Sequence, residues 1–310
     1  MEEATVDAAS PALSRAAQQT EFAKAKVNLA LHVPGRRADG YHLLDSLVVF
    51  AEIGDTLTAL PNEEGGTGLI VEGRFGRDLE SATAAGGNLI LAVANGLREA
   101  FPAPRTSGVM LHLEKRLPVA SGLGGGSADA AAALRLLDRL WHLELSADVL
   151  AGIGLSLGAD VPVCLASRPS RMRGIGEELD AVSGIPPMPM VLVNPGVTVA
   201  TGNVFRRLDA SERPGLPPLP EPGHGLMEFV FWLRRTRNDL FEPAMAEAPP
   251  VKTAARALAA DPDCALARMS GSGATVFGIF MSMDAAERAA ARIRKAQPDW
   301  WVVVTRTAGS

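Results

Sequence analysis

The stretch Pro118-Val-Ala-Ser-Gly-Leu-Gly-Gly-Gly-Ser-Ala-Asp-Ala130 decides how this chain is read, because four glycines and two serines stand directly ahead of an alanine-rich amphipathic run. Glycine lets the backbone approach an anion closely and turn several N–H groups toward it, and the helix that follows adds its positive N-terminal end. The ligand such a loop serves is a polyphosphate. Val109 to Leu113 alternates like a short strand upstream, and Ser127 to His142 carries helical periodicity downstream. Strand, loop and helix follow in the order a phosphate site needs.

Two common phosphate loops are excluded by inspection. A Walker A loop requires Gly-Lys-Ser/Thr, which does not occur, and a dinucleotide fingerprint from Gly122 and Gly124 would need glycine where Ser127 stands. The loop is of a third type.

With 310 residues the chain is long enough for two cores, since single cores stop growing at roughly 250 to 300 residues. Thirty basic against 35 acidic side chains give a formal charge of -5, which favours neither nucleic acid nor an anionic membrane as partner. Cys164 and Cys264 are remote from each other and form no C-x-x-C, so neither a disulfide framework nor a zinc site is expected. A reducing cytoplasm fits. Residues 1–20 include Glu2, Glu3 and Asp7 and no apolar signal core, and they are expected to form a disordered tail. No apolar run approaches the length of a membrane span.

Beyond the loop, Lys24 to Val33 reads as a strand, and Ser46 to Phe50 with Thr56 to Leu60 as further strand. Asn88 to Phe101 reads as a helix capped by Asn88, and Ser146 begins another that ends near Gly158. Met188 to Val193 is a buried strand. Arg213 to Gly223 carries five prolines and is expected to be an extended surface loop. Helices then follow over 226–235, 251–259 and 284–296, with strands over 274–280 and 301–305. The expectation is an α+β protein with an N-terminal domain over 21–183 and a smaller C-terminal domain over 184–310.

At this point the chain resembles a known group, the GHMP kinase superfamily. Three motifs carry the likeness: Ala25-Lys26-Val27-Asn28-Leu29, the loop Pro118 to Ala130, and Met269-Ser-Gly-Ser-Gly-Ala-Thr-Val-Phe277. Further motifs are similar to the 4-diphosphocytidyl-2-C-methyl-D-erythritol kinase family within it. These are Gly35-Arg-Arg-Ala-Asp-Gly-Tyr-His42, Glu114-Lys-Arg-Leu-Pro118, Gly158-Ala-Asp-Val-Pro162, Asn194-Pro-Gly-Val197 and Asn238-Asp-Leu240. Ser121 and Ala128 depart from the family pattern, as does the proline-rich insert. The resemblance implies a ribosomal-protein-S5-like α/β domain, a ferredoxin-like second domain and an active site in the cleft between them.

It implies ATP and Mg2+ as cofactors and a small cytidylyl substrate phosphorylated on its 2-hydroxyl, in a monomer or weak homodimer. Kinases of the homoserine or mevalonate type, and an inactive nucleotide-binding regulator, are the alternatives. Phosphoryl transfer needs charge neutralisation and a group that orients or deprotonates the accepting hydroxyl. By resemblance Asp160 accepts that proton and Lys26 stabilises charge. ATP is assigned to the loop Pro118, Val119, Ala120, Ser121, Gly122, Leu123, Gly124, Gly125, Gly126, Ser127 and Ala128. Asn88 is placed near the adenine through its amide and Lys115 through its main chain, with capping and exposed surface as their competing readings. Ser127 is a magnesium or β-phosphate ligand, or an ordinary N-cap. Asn28, Tyr41, His42, Thr201, Phe205, Ser270 and Gly271 are assigned to the substrate, with cytosine stacked between Tyr41 and Phe205 and hydrogen-bonded by His42. The other histidines show no ligand spacing.

Overall fold

The computed structural model describes residues 18–84, 86–103, 106–209 and 212–308, so the expected tail lies outside them up to residue 17. Strand β1 (Gln19–Arg36) pairs antiparallel with β2 (His42–Pro61) along nearly its whole length. The two pieces read over 46–50 and 56–60 are therefore one strand. Its continuity depends on Gly54, where a Cβ would lie 2.1 Å from the Ala23 carbonyl oxygen, beside the bulge between Lys24 and Lys26. Cross-strand pairing continues through a residue that alternation alone reads as a break.

Around this ribbon the first sheet grows in both directions. β3 (Thr67–Glu72) lies parallel to β4 (Val109–Glu114), which pairs with the C-terminal end of β2. β5 (Ser170–Gly174) pairs with the N-terminal end of β2, and β6 (Glu178–Ala181) closes that edge. After the short α1 (Gly76–Thr83) comes α2 (Leu89–Ala100), where Asn88 Oδ1 accepts the Ile90 N–H at 2.8 Å. The central helix is α3 (Gly125–Leu140), flanked by α4 (Ala147–Leu157) and α5 (Val161–Ala166). Ala130 to Ala133 are fully buried and let α3 lie close on β1, while Leu134, Leu136 and Leu137 each contribute about 1.5 to 3 kcal/mol by burial.

The C-terminal half is a four-stranded antiparallel sheet. It runs from β7 (Pro189–Asn194) through α6 (Thr201–Arg206), α7 (Leu226–Leu233), α8 (Phe241–Glu247) and α9 (Pro250–Ala259) to the hairpin β8 (Cys264–Met269) and β9 (Val276–Phe280). Then α10 (Met283–Ala296) leads to β10 (Trp301–Arg306). The strand order β10-β7-β9-β8 is that of a ferredoxin-like sheet, as expected. Among the described residues no helix is long and apolar enough to cross a membrane.

The proline-rich segment is not the free surface loop expected of it. Leu216 is buried, its N–H donates to Asp45 at 2.7 Å, and Trp232 Nε1 donates to the Pro218 carbonyl at 2.7 Å. Asp45 in turn receives both edges of the Arg171 guanidinium at 2.7 Å. Prolines leave few backbone donors, and the carbonyls that remain are taken by side chains of other elements.

Candidate active site

Between the two halves lies a cleft of about 870 Å³ lined by both. Its floor is two glycine loops packed backbone to backbone. Ser270 Oγ donates to the Gly122 carbonyl at 2.8 Å and accepts the Asn28 N–H at 3.1 Å, while the Thr275 N–H donates to the Ser121 carbonyl at 2.9 Å. A Cβ on Gly122 would lie 2.2 Å from the Ser270 carbonyl oxygen. Gly122 is needed for the halves to meet. Asn238 holds the late loop from behind, donating to the Met269 and Gly271 carbonyls at 2.8 Å.

The first glycine loop enters α3 two residues earlier than its periodicity indicates. Gly124 takes a left-handed φ of 63° as the N-cap, and Gly125 and Gly126 form the first turn. Ser127 is thus inside the helix rather than its cap. Pro118 to Gly122 and Gly124 to Ser127 line the cleft, whereas Leu123 and Ala128 are buried away from it. Ser121 lines the cleft, and its hydroxyl is buried without a hydrogen-bond partner among the described residues.

Lys26 and Asp160, remote in sequence, meet at 2.6 Å. The Lys26 backbone N–H donates to the Leu123 carbonyl at 2.9 Å, and a Cβ on Gly124 would touch the lysine stem at 3.2 Å. The loop and the lysine therefore fix each other. Asp160 stands at the N-cap position of α5 without capping it, so its carboxylate is free to reach Lys26 from a residue that is 38 % exposed. The Lys26 side chain is 5 % exposed. One partner is held by the fold and the other faces the cleft.

Lys115 is buried rather than exposed, lines the cleft, and has both main-chain groups in hydrogen bonds. Its N–H donates to the Glu72 carbonyl at 2.7 Å and its carbonyl accepts from Phe75 at 3.1 Å. Its ammonium is buried 2.6 Å from both Asp55 and Asp129. Asp55 Oδ1 also accepts the Arg116 and Leu117 N–H groups at 2.6 and 2.8 Å, tying the approach to the glycine loop. Burial pushes the Asp129 carboxyl up, to about 7, with Asp55 adding to the rise and Lys115 opposing it. Burial pulls the Lys115 ammonium down, but the two carboxylates outweigh it and hold it above its ordinary value. Asn88 accepts the Ile90 N–H through Oδ1, a bond that does not use its amide nitrogen, and the residue does not line the cleft.

At the other end of the cleft the hairpin turn between β1 and β2 presents Tyr41 and His42. Gly40 makes that turn with φ 95°, closed by the Arg37 N–H donating to the Tyr41 carbonyl at 2.7 Å. His42 packs on Phe205 of α6 with ring centroids 5.2 Å apart, while Tyr41 remains 61 % exposed at the rim. Desolvation, then the nearby Arg36 charge, lowers the His42 pKa and favours neutral imidazole. Asn28 lines the cleft, donating to Ser46 at 2.8 Å and leaving Oδ1 without a partner among the described residues. Thr201 lies 2.8 Å from the Ser272 hydroxyl, and Gly271 also lines the cleft. Ser270 does not, because its hydroxyl closes the floor. Sequence reading missed Arg36, Arg206 and Ser272, all of which line the cleft. The first two stand next to residues already singled out, within the Gly35 to His42 motif and directly after Phe205.

Comparison with known proteins accords with this geometry. The chain matches the family model for the GHMP kinases N terminal domain over residues 88–168 and the one for GHMP kinases C terminal over residues 225–299. It is 50% identical over 292 residues to the 4-diphosphocytidyl-2-C-methyl-D-erythritol kinase of Rhizobium meliloti (strain 1021), covering 94% of this chain and 95% of that one. A crystal structure of 4-(cytidine 5'-diphospho)-2C-methyl-D-erythritol kinase superposes with a TM-score of 0.75 at 35% identity, covering 94% of this chain and 100% of that one. A homoserine kinase from Cytophaga hutchinsonii shares the fold with a TM-score of 0.66 at 17% identity, covering 96% of each chain. The chain belongs to the 4-diphosphocytidyl-2-C-methyl-D-erythritol kinase family of the GHMP kinases.

Proposed function

We propose that this protein transfers the γ-phosphoryl group of ATP to the 2-hydroxyl of 4-diphosphocytidyl-2-C-methyl-D-erythritol in non-mevalonate isoprenoid synthesis. The observation that carries the reading is the Lys26–Asp160 pair, 2.6 Å apart, in a cleft bounded by the glycine loop at one end and Tyr41, His42 and Phe205 at the other. ATP phosphates approach the loop backbone and the N-terminus of α3. The cytidine ring stacks at the aromatic end. The accepting hydroxyl then lies between them, beside Asp160.

As the new O–P bond forms and ADP leaves, the hydroxyl proton passes to the Asp160 carboxylate. Lys26 keeps that carboxylate in place and offsets charge on the transferring group. Magnesium, when bound with ATP, neutralises charge on the phosphates. Mg2+ retains most of its waters and takes few protein ligands, which suits the residues present. Ser127 lines the cleft with its hydroxyl free of hydrogen bonds among the described residues, while Asp129 is committed to Lys115. Ser127 is the residue that would hold it.

The test is to incubate purified protein with MgATP and, separately, the cytidylyl substrate, homoserine, mevalonate and galactose, following ADP release. Turnover with the cytidylyl compound alone is expected. Turnover confined to homoserine or mevalonate would overturn the substrate, and none with any would favour a binding protein without catalysis.

A further inference from the structure

Among the described residues four cationic side chains line the cleft, and two of them are ion-paired. Lys26 is paired with Asp160 and Lys115 with Asp55 and Asp129. Arg36 and Arg206 have no carboxylate within ion-pairing distance among the described residues. Each is nevertheless held. Arg36 Nε donates to the Gly40 carbonyl at 2.7 Å, and Arg206 donates to Asn203 Oδ1, whose amide is in turn fixed by Glu247 at 2.6 Å. A neutral acceptor orients each guanidinium, and the Glu247 carboxylate, which feels the Arg206 charge, is itself ion-paired with Arg207.

Their positions coincide with the aromatic end of the cleft rather than with the glycine loop. Arg36 and His42 are direct partners in the β1–β2 register, so they share a face of the hairpin. Arg206 follows Phe205 on α6, and His42 and Phe205 are in ring contact. Two guanidinium groups without an ion-paired carboxylate among the described residues thus flank one ring-binding site, a pattern suited to a phosphorylated nucleoside, because guanidinium donors match phosphate oxygens.

We propose that Arg36 and Arg206 form the subsite for the diphosphate of the cytidylyl substrate and are the residues by which the cleft distinguishes a nucleoside diphosphate from a nucleoside. The assignment rests on the reading of the aromatic end as the cytidine pocket. On that reading ATP is not the ligand of these arginines, since its phosphates are assigned to the glycine loop.

The experiment compares CDP with cytidine by calorimetry, with the nucleotide site saturated by the β,γ-imido analogue of ATP. Wild type is expected to bind CDP at least about tenfold more tightly than cytidine, as two charge-assisted contacts provide. Arg36→Gln and Arg206→Gln should each weaken CDP several-fold, and the double variant should bring CDP close to cytidine with cytidine affinity unchanged. Arg206→Lys should recover part of the difference. Persistence of the CDP preference in the double variant would overturn the subsite, as would equal losses for cytidine and CDP or a matching loss of ATP-analogue affinity. If wild type binds neither cytidine nor CDP, the cytidine pocket itself is misassigned and the subsite falls with it.

Discussion

Ser270 and Gly122 join the two halves of the molecule through one hydroxyl, which donates to the glycine carbonyl at 2.8 Å and receives the Asn28 N–H at 3.1 Å. Ser270 is fully buried, so no water replaces what it provides. Ser270→Ala should cost about 1 to 3 kcal/mol of stability by orphaning that carbonyl and that amide. It should also weaken both substrates together, because both loops of the cleft floor loosen. Urea unfolding with unchanged midpoint would show that the contact carries no load.

Gly124 is the glycine on which the placement of Lys26 depends most directly. Its φ of 63° strains any other residue, and a Cβ there would contact the lysine stem at 3.2 Å. Gly124→Ala should therefore lower kcat more than it lowers thermal stability. At Gly125 the backbone is helical, and a side chain would instead meet the Lys115 ammonium at 3.2 Å, so Gly125→Val should weaken ATP binding by displacing the support beneath the loop. Unchanged ATP affinity by calorimetry would place the phosphates elsewhere.

The buried trio of Lys115, Asp55 and Asp129 carries one more carboxylate than ammonium, and its pH dependence follows from Asp129. With its native pKa raised to about 7 from an ordinary 3.8, the folded protein holds a proton that the unfolded chain has released. Stability from this group accordingly falls as pH rises between those values and levels off above them. Asp129→Asn should flatten that decline and be neutral or stabilising at pH 8, whereas Lys115→Met should cost about 3 to 5 kcal/mol by leaving buried carboxylates uncompensated. Melting curves of the three proteins across pH 4 to 8 provide the check, and an Asn variant less stable than wild type at pH 8 would contradict it.

At the aromatic end, Tyr41→Ala and Phe205→Ala should raise KM for the cytidylyl substrate, since stacking contributes about 1 to 3 kcal/mol per base. Phe205 should cost more, because it also packs on His42, whereas Tyr41 is 61 % exposed. Tyr41→Phe should be mild. Steady-state kinetics showing an equal rise in KM for ATP would move the cytidine pocket.

What was legible in the chain was what is encoded locally. The glycine loop, the Asn88 and Ser146 caps and the 3.6-residue periodicity of α2, α3 and α10 are short-range patterns, and they appear within a few residues of where they were read. What was not legible depends on partners far away. Lys115 sits in a polar string that looks exposed, and only the fold brings Asp55 and Asp129 to it. Leu216 sits among prolines that look like a loop, and only the fold places Asp45 at its N–H. The Ser270 hydroxyl bridges Gly122 and Asn28, both distant in sequence, and nothing local to Ser270 announces either partner.

In the proposed mechanism Asp160, held 2.6 Å from Lys26, receives the proton of the accepting hydroxyl. The most direct test is kcat for Asp160→Asn with both substrates saturating, beside calorimetric binding of ATP and CDP. A fall of at least about a hundredfold with binding preserved is predicted, as for loss of a positioned acid-base group. Turnover within a few-fold of wild type would show that Asp160 does not accept that proton.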